Sequence, residues 1–430
     1  MTVQALSPRA RVAVLFAAIG GLLFDGFELG LMPVASLSVT QSLLGAAYTP
    51  TLGGDWFARF TAALMLGAAV GGIFLGSLGD RIGRTRALGV SILFYSVFAG
   101  MGAFVRTQEQ MLVLRFIVGL GVGGVWPNAV ALAAECWPDK SRPIVAGLMG
   151  AALNGGILML SQIARTWHIT PESWRWIFWL ATAPAMLGLL VLFALPESPL
   201  WVATRPASSS LSPSGERAGV RGQPTSQPLR ELFRPPLLRL TLIGILLGSI
   251  PMVGAWAASK WMIPWADKVG GATEAGYKAV TQGWWALGAV LGSFFGAQIA
   301  AWLGRRLAYG LISASATVLT LVLFLGTAPL QASFLPIVFA QGFVATLFFG
   351  WLPLYLPELF PTHVRAAGSG IAYNVGRFAT AVGVFFAGVL FAAVGGSYSR
   401  VGSLCGLIYV LGLIVIWWAP DTSTKKLDRL

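Results

Sequence analysis

Stretches of about 20 consecutive apolar residues recur along almost the whole 430-residue chain, and each is long enough to cross a hydrocarbon layer roughly 30 Å thick. Within that layer no water satisfies a backbone N–H or C=O, so only helices and closed barrels can span it. Runs this long and this continuously apolar do not fit barrel strands, which alternate over about ten residues. The chain is therefore expected to be an all-α polytopic membrane protein. Charged residues make up only 10% of it, against roughly 25% in a domain that must cover itself toward water.

Twelve spans are predicted, at 12–36, 57–78, 87–105, 110–134, 143–164, 174–195, 239–263, 279–302, 307–328, 332–356, 366–394 and 400–419. Lys and Arg gather in alternate loops. One side holds Arg9, Arg11, Arg84, Arg86, Lys140, Arg305, Arg306 and the arginines between 205 and 239; the other holds fewer, among them Arg59, Arg106, Arg165 and Lys278. By the positive-inside rule both termini and the middle loop are cytoplasmic. The net charge of +13 is then a matter of topology, and the expected partner is a lipid bilayer rather than nucleic acid. The first apolar run is too long for a signal-peptide core and lacks an obvious cleavage site, so it is expected to be a retained helix. Cys136 and Cys405 fall on or near different helices, which implies no disulfide framework. No metal cluster and no nucleophile–base set is visible, so an enzyme is not expected.

The two halves are related. "ECWPDKSR" at 135–142 and "ELFPTHVR" at 358–365 share E-x-x-P-x-x-x-R, 223 residues apart. "GDRIGR" at 79–84 and "AAWLGR" at 300–305 match at an offset of 221. Six spans, a linker and six more in the same orientation form a parallel repeat, the architecture of transporters whose halves rock about a midplane site. The expected division is a six-helix bundle at 1–200, a cytoplasmic linker at 201–238 and a second bundle at 239–430. The Ser-, Pro-, Gly- and Arg-rich segment 205–229 lacks apolar periodicity and reads as a flexible tether.

The first span carries two acids, Asp25 and Glu28, in "FDGFELG" at 24–30. They stand three residues apart and so share one helix face. A charged group at a bilayer centre costs at least about 2.5–3.5 kcal/mol, and acids at that depth are functional by default. A carboxyl able to take up a proton on one side and release it on the other is what proton coupling needs. The competing reading is a structural salt bridge or a packed, protonated side chain. Arg115 enters the fourth span on the same outer half as Glu28 and is a natural partner, unless it snorkels to the headgroups. Arg377 lies twelve residues inside Arg365, about 18 Å along a helix, near the midplane. No acid of the second half is an obvious mate for it. A substrate carboxylate would satisfy it bidentately; the alternative is a bridge to Asp25 or Glu28 across the halves. Asn154 occupies the repeat-related position, and Tyr373 and Asn374 stand one turn before Arg377. Lys260, Gln162 and Gln341, with Trp256 and Trp261, are weaker substrate-binding candidates.

"GSLGDRIGRTR" at 76–86, "RFIVGLGVGG" at 115–124 and "PESPLW" at 196–201 resemble the signature loop, the fourth-helix pattern and the post-helix-six motif of the major facilitator superfamily. The resemblance covers the chain apart from its middle linker. "FDGFE" at 24–28 resembles the helix-one pattern of aromatic-acid:proton symporters. "ELFPTHVRAAGSGIAYNVGR" at 358–377 is similar to the corresponding region of sialate and lactate:proton symporters. The resemblance implies pairing of Arg115 with a helix-one acid and a cytoplasmic latch involving Asp80, Arg81 and Arg84. Glu135, Arg142, Glu197, Glu358 and Arg365 are expected to add ion pairs that break when the pathway opens inward. Ala301 and Trp302 replace Asp80 and Arg81 in the second half, so a gating pair built there would be one-sided. The expected function is proton-coupled symport of a small organic anion, a monocarboxylate or aromatic acid, by alternating access in a bacterial-type inner membrane. The alternatives are a sugar:proton symporter, an exporter of drugs or organic cations, and a non-transporting sensor. No cofactor is expected beyond the coupling ion, a proton or alternatively sodium, and the protein is expected to be a monomer.

Overall fold

The computed structural model describes residues 6–136, 142–204, 231–361 and 364–422. Among the described residues twelve helices are long and apolar enough to cross a membrane. They are α1 Pro8–Ala47, α2 Pro50–Ile82, α3 Arg84–Phe104, α4 Gln108–Ala133, α5 Gly147–Thr166, α6 Arg175–Ala194, α7 Leu237–Gly270, α8 Tyr277–Leu303, α9 Arg305–Leu325, α10 Phe334–Leu359, α11 Gly368–Ala393 and α12 Tyr398–Trp418. Their number and order are those expected, and no strand occurs among the described residues. The segment 205–229 expected to act as a tether lies outside the described residues.

Helix ends depart from the apolar runs for a local reason. α2 was expected from 57 but starts at Pro50. The Thr49 side chain accepts the N–H of Leu52 at 3.2 Å, and Pro50 fills the first helical position, where its missing N–H costs nothing. A helix stops where its caps stop it, not where hydropathy falls. α7 runs beyond its expected end at 263 and is irregular inside, with a π-turn over Gly254–Ala258 followed by a 3-10 turn over Ser259–Trp261.

In the first half α2 packs on α4, α4 on α3, α1 on α5 and α3 on α6; in the second, α8 packs on α10, α7 on α11, and α9 on α10 and α12. The most extensive contacts between the halves are α5 against α8 and α2 against α11, with smaller ones from α1 to α7 and α8 and from α5 to α10. Lipid offers no hydrophobic drive for helices to associate, so they gain by close backbone approach at small residues. α1 and α5 illustrate this reciprocally. A Cβ on Gly26 would sit 1.7 Å from the Leu153 carbonyl oxygen, and one on Gly156 would sit 1.7 Å from that of Leu23.

Because the described spans number twelve, the start of α1 and the end of α12 lie at one face of the bundle, the terminal end. At the opposite, far end the halves are fastened. Lys278 Nζ on α8 donates to Ser38 Oγ on α1 at 3.0 Å and to Asp267 Oδ2 on α7 at 3.1 Å. Gln282 Nε2 donates to the Gly30 carbonyl at 3.1 Å and to Ser161 Oγ at 3.2 Å. Trp261 of α7 stacks on Phe391 at 4.9 Å and meets Phe57 of α2 edge-on at 5.1 Å. One apolar cluster runs through the first half and this end of the second; the remainder of the second half has its own.

Gly26→Ala or Gly156→Ala is expected to lower stability by about 1–3 kcal/mol through overpacking, seen as a lower midpoint of thermal unfolding in detergent. Gly155→Ala, where an added Cβ meets nothing within 4 Å, should leave that midpoint unchanged. Equal midpoints for all three variants would remove the α1–α5 backbone contact as a determinant of stability.

Candidate functional site

α1 turns Asp25 and Glu28 into the bundle, where each is 1% exposed. Glu28 Oε1 accepts a hydrogen bond from Nη1 of Arg115 on α4, and this ion pair is fully buried. The guanidinium carbon lies 5.4 Å from the Phe178 ring centroid. The expected Glu28–Arg115 partnership is thus present as geometry. Asp25 is not part of it. Neither of its carboxyl oxygens has a hydrogen-bond partner among the described residues, although it lies within electrostatic reach of Arg377 and Glu28. A buried carboxyl with spare acceptor capacity can hold a proton or release it without breaking another bond.

Between the halves lies a cavity. The first half contributes Leu29, Met65, Ala68, Val122, Trp126, Gly150, Leu153, Asn154 and Ile157. The second contributes Met252, Ala255, Trp256, Trp285, Thr346, Phe349, Tyr373, Arg377 and Thr380. Among the described residues Arg377 is its one charged wall residue. Its Nη1 reaches across the α2–α11 contact and donates to the carbonyls of Ala68 and Gly123, 3.3 Å each. Gly72 leaves room for this crossing, since a Cβ there would lie 3.3 Å from Arg377 Nη1. The bridge from Arg377 to Asp25 or Glu28 held open as an alternative is not formed among the described residues. Tyr373 stacks on Trp126 from the other half, 5.8 Å apart and 8° from parallel. Asn154 Nδ2 donates to Ser293 Oγ at 2.9 Å. The result is an aromatic-lined chamber with a single fixed cation, suited to a flat or apolar body bearing a negative group.

The other substrate-binding candidates fall elsewhere. Asn374 faces Gly72 in the α2–α11 seam, with Oδ1 only 2.8 Å from where a Cβ on Gly72 would be. Gln162 is exposed on α5. Gln341 lies behind the wall: its Oε1 accepts the Trp285 indole N–H at 2.8 Å and its Nε2 donates to Ser259 Oγ at 2.6 Å. The expected span 239–263 puts Lys260 near its outer end, but α7 runs on to Gly270, and Lys260 has no exposed surface and lies 3.3 Å from the Trp285 ring centroid. Trp126 and Trp285 were missed. Each stands well inside its span rather than near an end, where membrane tryptophans usually anchor, and that depth is the signal that could have found them.

At the terminal end the expected latch residues form two networks, each within one half. Arg84 donates to Asp80 Oδ1 at 2.5 Å and to Glu135 Oε1 at 3.2 Å, and Ser198 Oγ donates to Glu135 Oε2 at 2.5 Å. In the second half Arg305 holds Glu358 through two bonds of 3.1 and 2.8 Å. The Arg–Glu pair therefore occurs in both halves, and only its Asp80 limb is one-sided. Glu197 acts differently from the ion-pair role expected of it. It accepts the N–H of Thr85 at 2.9 Å at the start of α3, a favourable position for a negative charge. It also fills the space where a Cβ on Gly83, at φ +111°, would lie. Arg81 is exposed on the last turn of α2. The side chains of Arg142 and Arg365 lie outside the described residues.

The family model of the Major Facilitator Superfamily matches residues 13–384. The chain is 29% identical over 429 residues to a cis,cis-muconate transport protein of Acinetobacter baylyi, covering 96% of each. It is 28% identical to a gallate transporter of Pseudomonas putida, covering 86% of this chain and 83% of that one. In structure it is similar to the partially occluded inward-open form of the xylose transporter XylE from E. coli, with a TM-score of 0.73, 17% identity and coverage of 97% of this chain and 100% of that one. At that identity the likeness concerns the fold alone.

Removing one partner of the Glu28–Arg115 pair strands the other charge. Glu28→Gln is expected to destabilise the protein by about 3–5 kcal/mol. Combining it with Arg115→Met should restore most of the loss, since an apolar replacement of a whole buried pair is often neutral. Thermal unfolding in detergent reads both; a single variant as stable as the parent would mean that Arg115 finds other partners.

Proposed function

The chain belongs to the major facilitator superfamily, and from that premise we propose that it is a secondary transporter that carries a small organic acid, aromatic or unsaturated, through the membrane together with a proton. The observation that carries this reading is Arg377: a guanidinium on the wall of an aromatic-lined cavity between the halves, which donates to two backbone carbonyls and lies over the Tyr373 ring, with no carboxylate bonded to it among the described residues. Carbonyls leave its charge uncancelled, and a carboxylate can take it bidentately. The names of the relatives support the reading, since muconate and gallate are both acids.

Asp25 is the proton carrier in this scheme. As a carboxylate it lowers the cost of burying Arg377. When it takes up a proton, the positive charge of Arg377 is left for the substrate, so acid and proton bind together. Glu28 and Arg115 hold the rest of that face neutral. With basic loops on the inside, the terminal end is cytoplasmic, the membrane is a bacterial-type inner membrane, and the far-end fastening closes the outer side. The arrangement then corresponds to an inward-facing state, and transport requires the Lys278, Gln282 and Trp261 contacts to part. The latch residues Asp80, Arg84, Glu135, Arg305 and Glu358 would re-pair across the halves when the cavity opens outward.

The cavity fits a sugar less well. A sugar needs many polar partners, but the Thr346 hydroxyl is engaged with the carbonyls of Gly342 and Ala289 at 2.8 and 3.0 Å. Gln162 and Gln341 do not line the cavity. Export of organic cations is disfavoured by a cavity wall whose one charge is positive.

A thermal-shift panel of benzoate, gallate, gentisate, cis,cis-muconate and xylose tests the substrate class. One or more acids should stabilise the protein, and Arg377→Ala should weaken that binding at least tenfold, the loss of about 1.5–3 kcal/mol expected of a charged hydrogen bond. Stabilisation by xylose alone, unaffected by Arg377→Ala, would sink the proposal. In proteoliposomes, Asp25→Asn should still exchange the acid across the membrane but no longer accumulate it under a proton gradient, with or without sodium. Accumulation at the parental level would take the proton role from Asp25.

A further inference from the structure

A second basic side chain stands behind the cavity wall. Lys260 Nζ has no exposed surface and no hydrogen-bond partner among the described residues. It rests 3.3 Å from the ring centroid of Trp285 and 5.4 Å from that of Trp256, and both indoles line the cavity. The backbone is arranged to put it there. The π-turn over Gly254–Ala258 and the 3-10 turn over Ser259–Trp261 break α7 at this point, and such breaks inside helices mark functional positions more often than chance. The Trp285 ring is fixed from behind, because its N–H is held by Gln341, which is itself held by Ser259, the neighbour of Lys260.

Aromatic faces attract an ammonium, but they do not replace the acceptors it loses on leaving water. A methionine would fill the same space without that cost. A lysine kept at such a site is explained by an anion that arrives there, and its flexible stem lets the ammonium turn from the Trp285 face to meet it. The chamber would then offer two cations, Arg377 on one wall and Lys260 behind the Trp256–Trp285 wall, neither paired with a carboxylate among the described residues.

We propose that Lys260 is a second anion site and that the substrates favoured by this chain are dicarboxylates, with one carboxylate on Arg377 and the other on Lys260. This rests on the reading of Arg377 given above. The test uses matched pairs that differ by one carboxylate, benzoate against terephthalate and hexanoate against adipate, with affinities measured on the purified full-length protein. The parent is expected to bind the diacid of a pair roughly tenfold or more tighter than the monoacid, and Lys260→Met or Lys260→Gln should collapse that ratio toward one. Arg377→Ala should weaken diacid and monoacid alike. A parent that prefers monoacids, or a ratio unchanged by the Lys260 variants, overturns the dicarboxylate inference and leaves the organic-acid reading standing. Failure of every acid to bind the parent overturns both. The preference of the parent decides the matter even if both variants fail to fold.

Discussion

A charge inside the hydrocarbon layer has no water to turn to, and the buried charges described above each answer that fact in a different way. The backbone meets it by closing its hydrogen bonds within helices. Glu28 and Arg115 meet it by pairing. Arg377 meets it by reaching across the molecule to two carbonyls, and Lys260 by lying on two indoles. The solutions differ in how complete they are. An ion pair cancels both charges. Carbonyls and aromatic rings only soften one, so the uncancelled charge is concentrated at the cavity. The same low polarity that makes such a charge costly makes a matching anion bind there strongly.

The internal repeat distributes these roles unequally. Arg84 with Glu135 and Arg305 with Glu358 are related by the two sequence offsets, and they stand in equivalent places at the terminal end. At the depth of the cavity the symmetry is broken. Asn154 occupies the place that Arg377 has in the other half, and the acids of α1 have no counterpart on α7. Equivalent ends and unequal centres fit the proposed scheme, in which both halves would move alike while one carries the proton and the other most of the substrate charge.

Much of this was legible in the sequence, because composition and periodicity report on a backbone's relation to lipid. Twelve spans, the repeat, and the depth of Asp25, Glu28 and Arg377 all follow from counting along helices. What could not be read is the azimuth of a side chain on a helix whose every face is apolar. Asn374 and Tyr373 are adjacent, yet one enters the α2–α11 seam and the other the cavity wall. Lys260 was misplaced for a related reason: a π-turn shifts the residues after it around the helix, and no local signal in Gly254–Ala258 announces it. Lys278 looked like an ordinary loop charge because its partners, Ser38 and Asp267, lie 240 and 11 residues away.

The far-end fastening is weak enough to part in the alternating mechanism proposed above. It consists of neutral hydrogen bonds from Gln282, one shared lysine and a tryptophan wedged between two phenylalanines. Of its charged contacts, Lys278 to Asp267 stays within the second half, so parting the halves does not strand that charge. Each neutral bond contributes only about 0.5–1.5 kcal/mol once water can replace it. A buried ion pair across the same seam would have locked the state instead, because opening it would leave two separated charges near lipid. The one fully buried pair among the described residues, Glu28 with Arg115, is kept inside a single half, where the rocking proposed for the bundles would leave it intact.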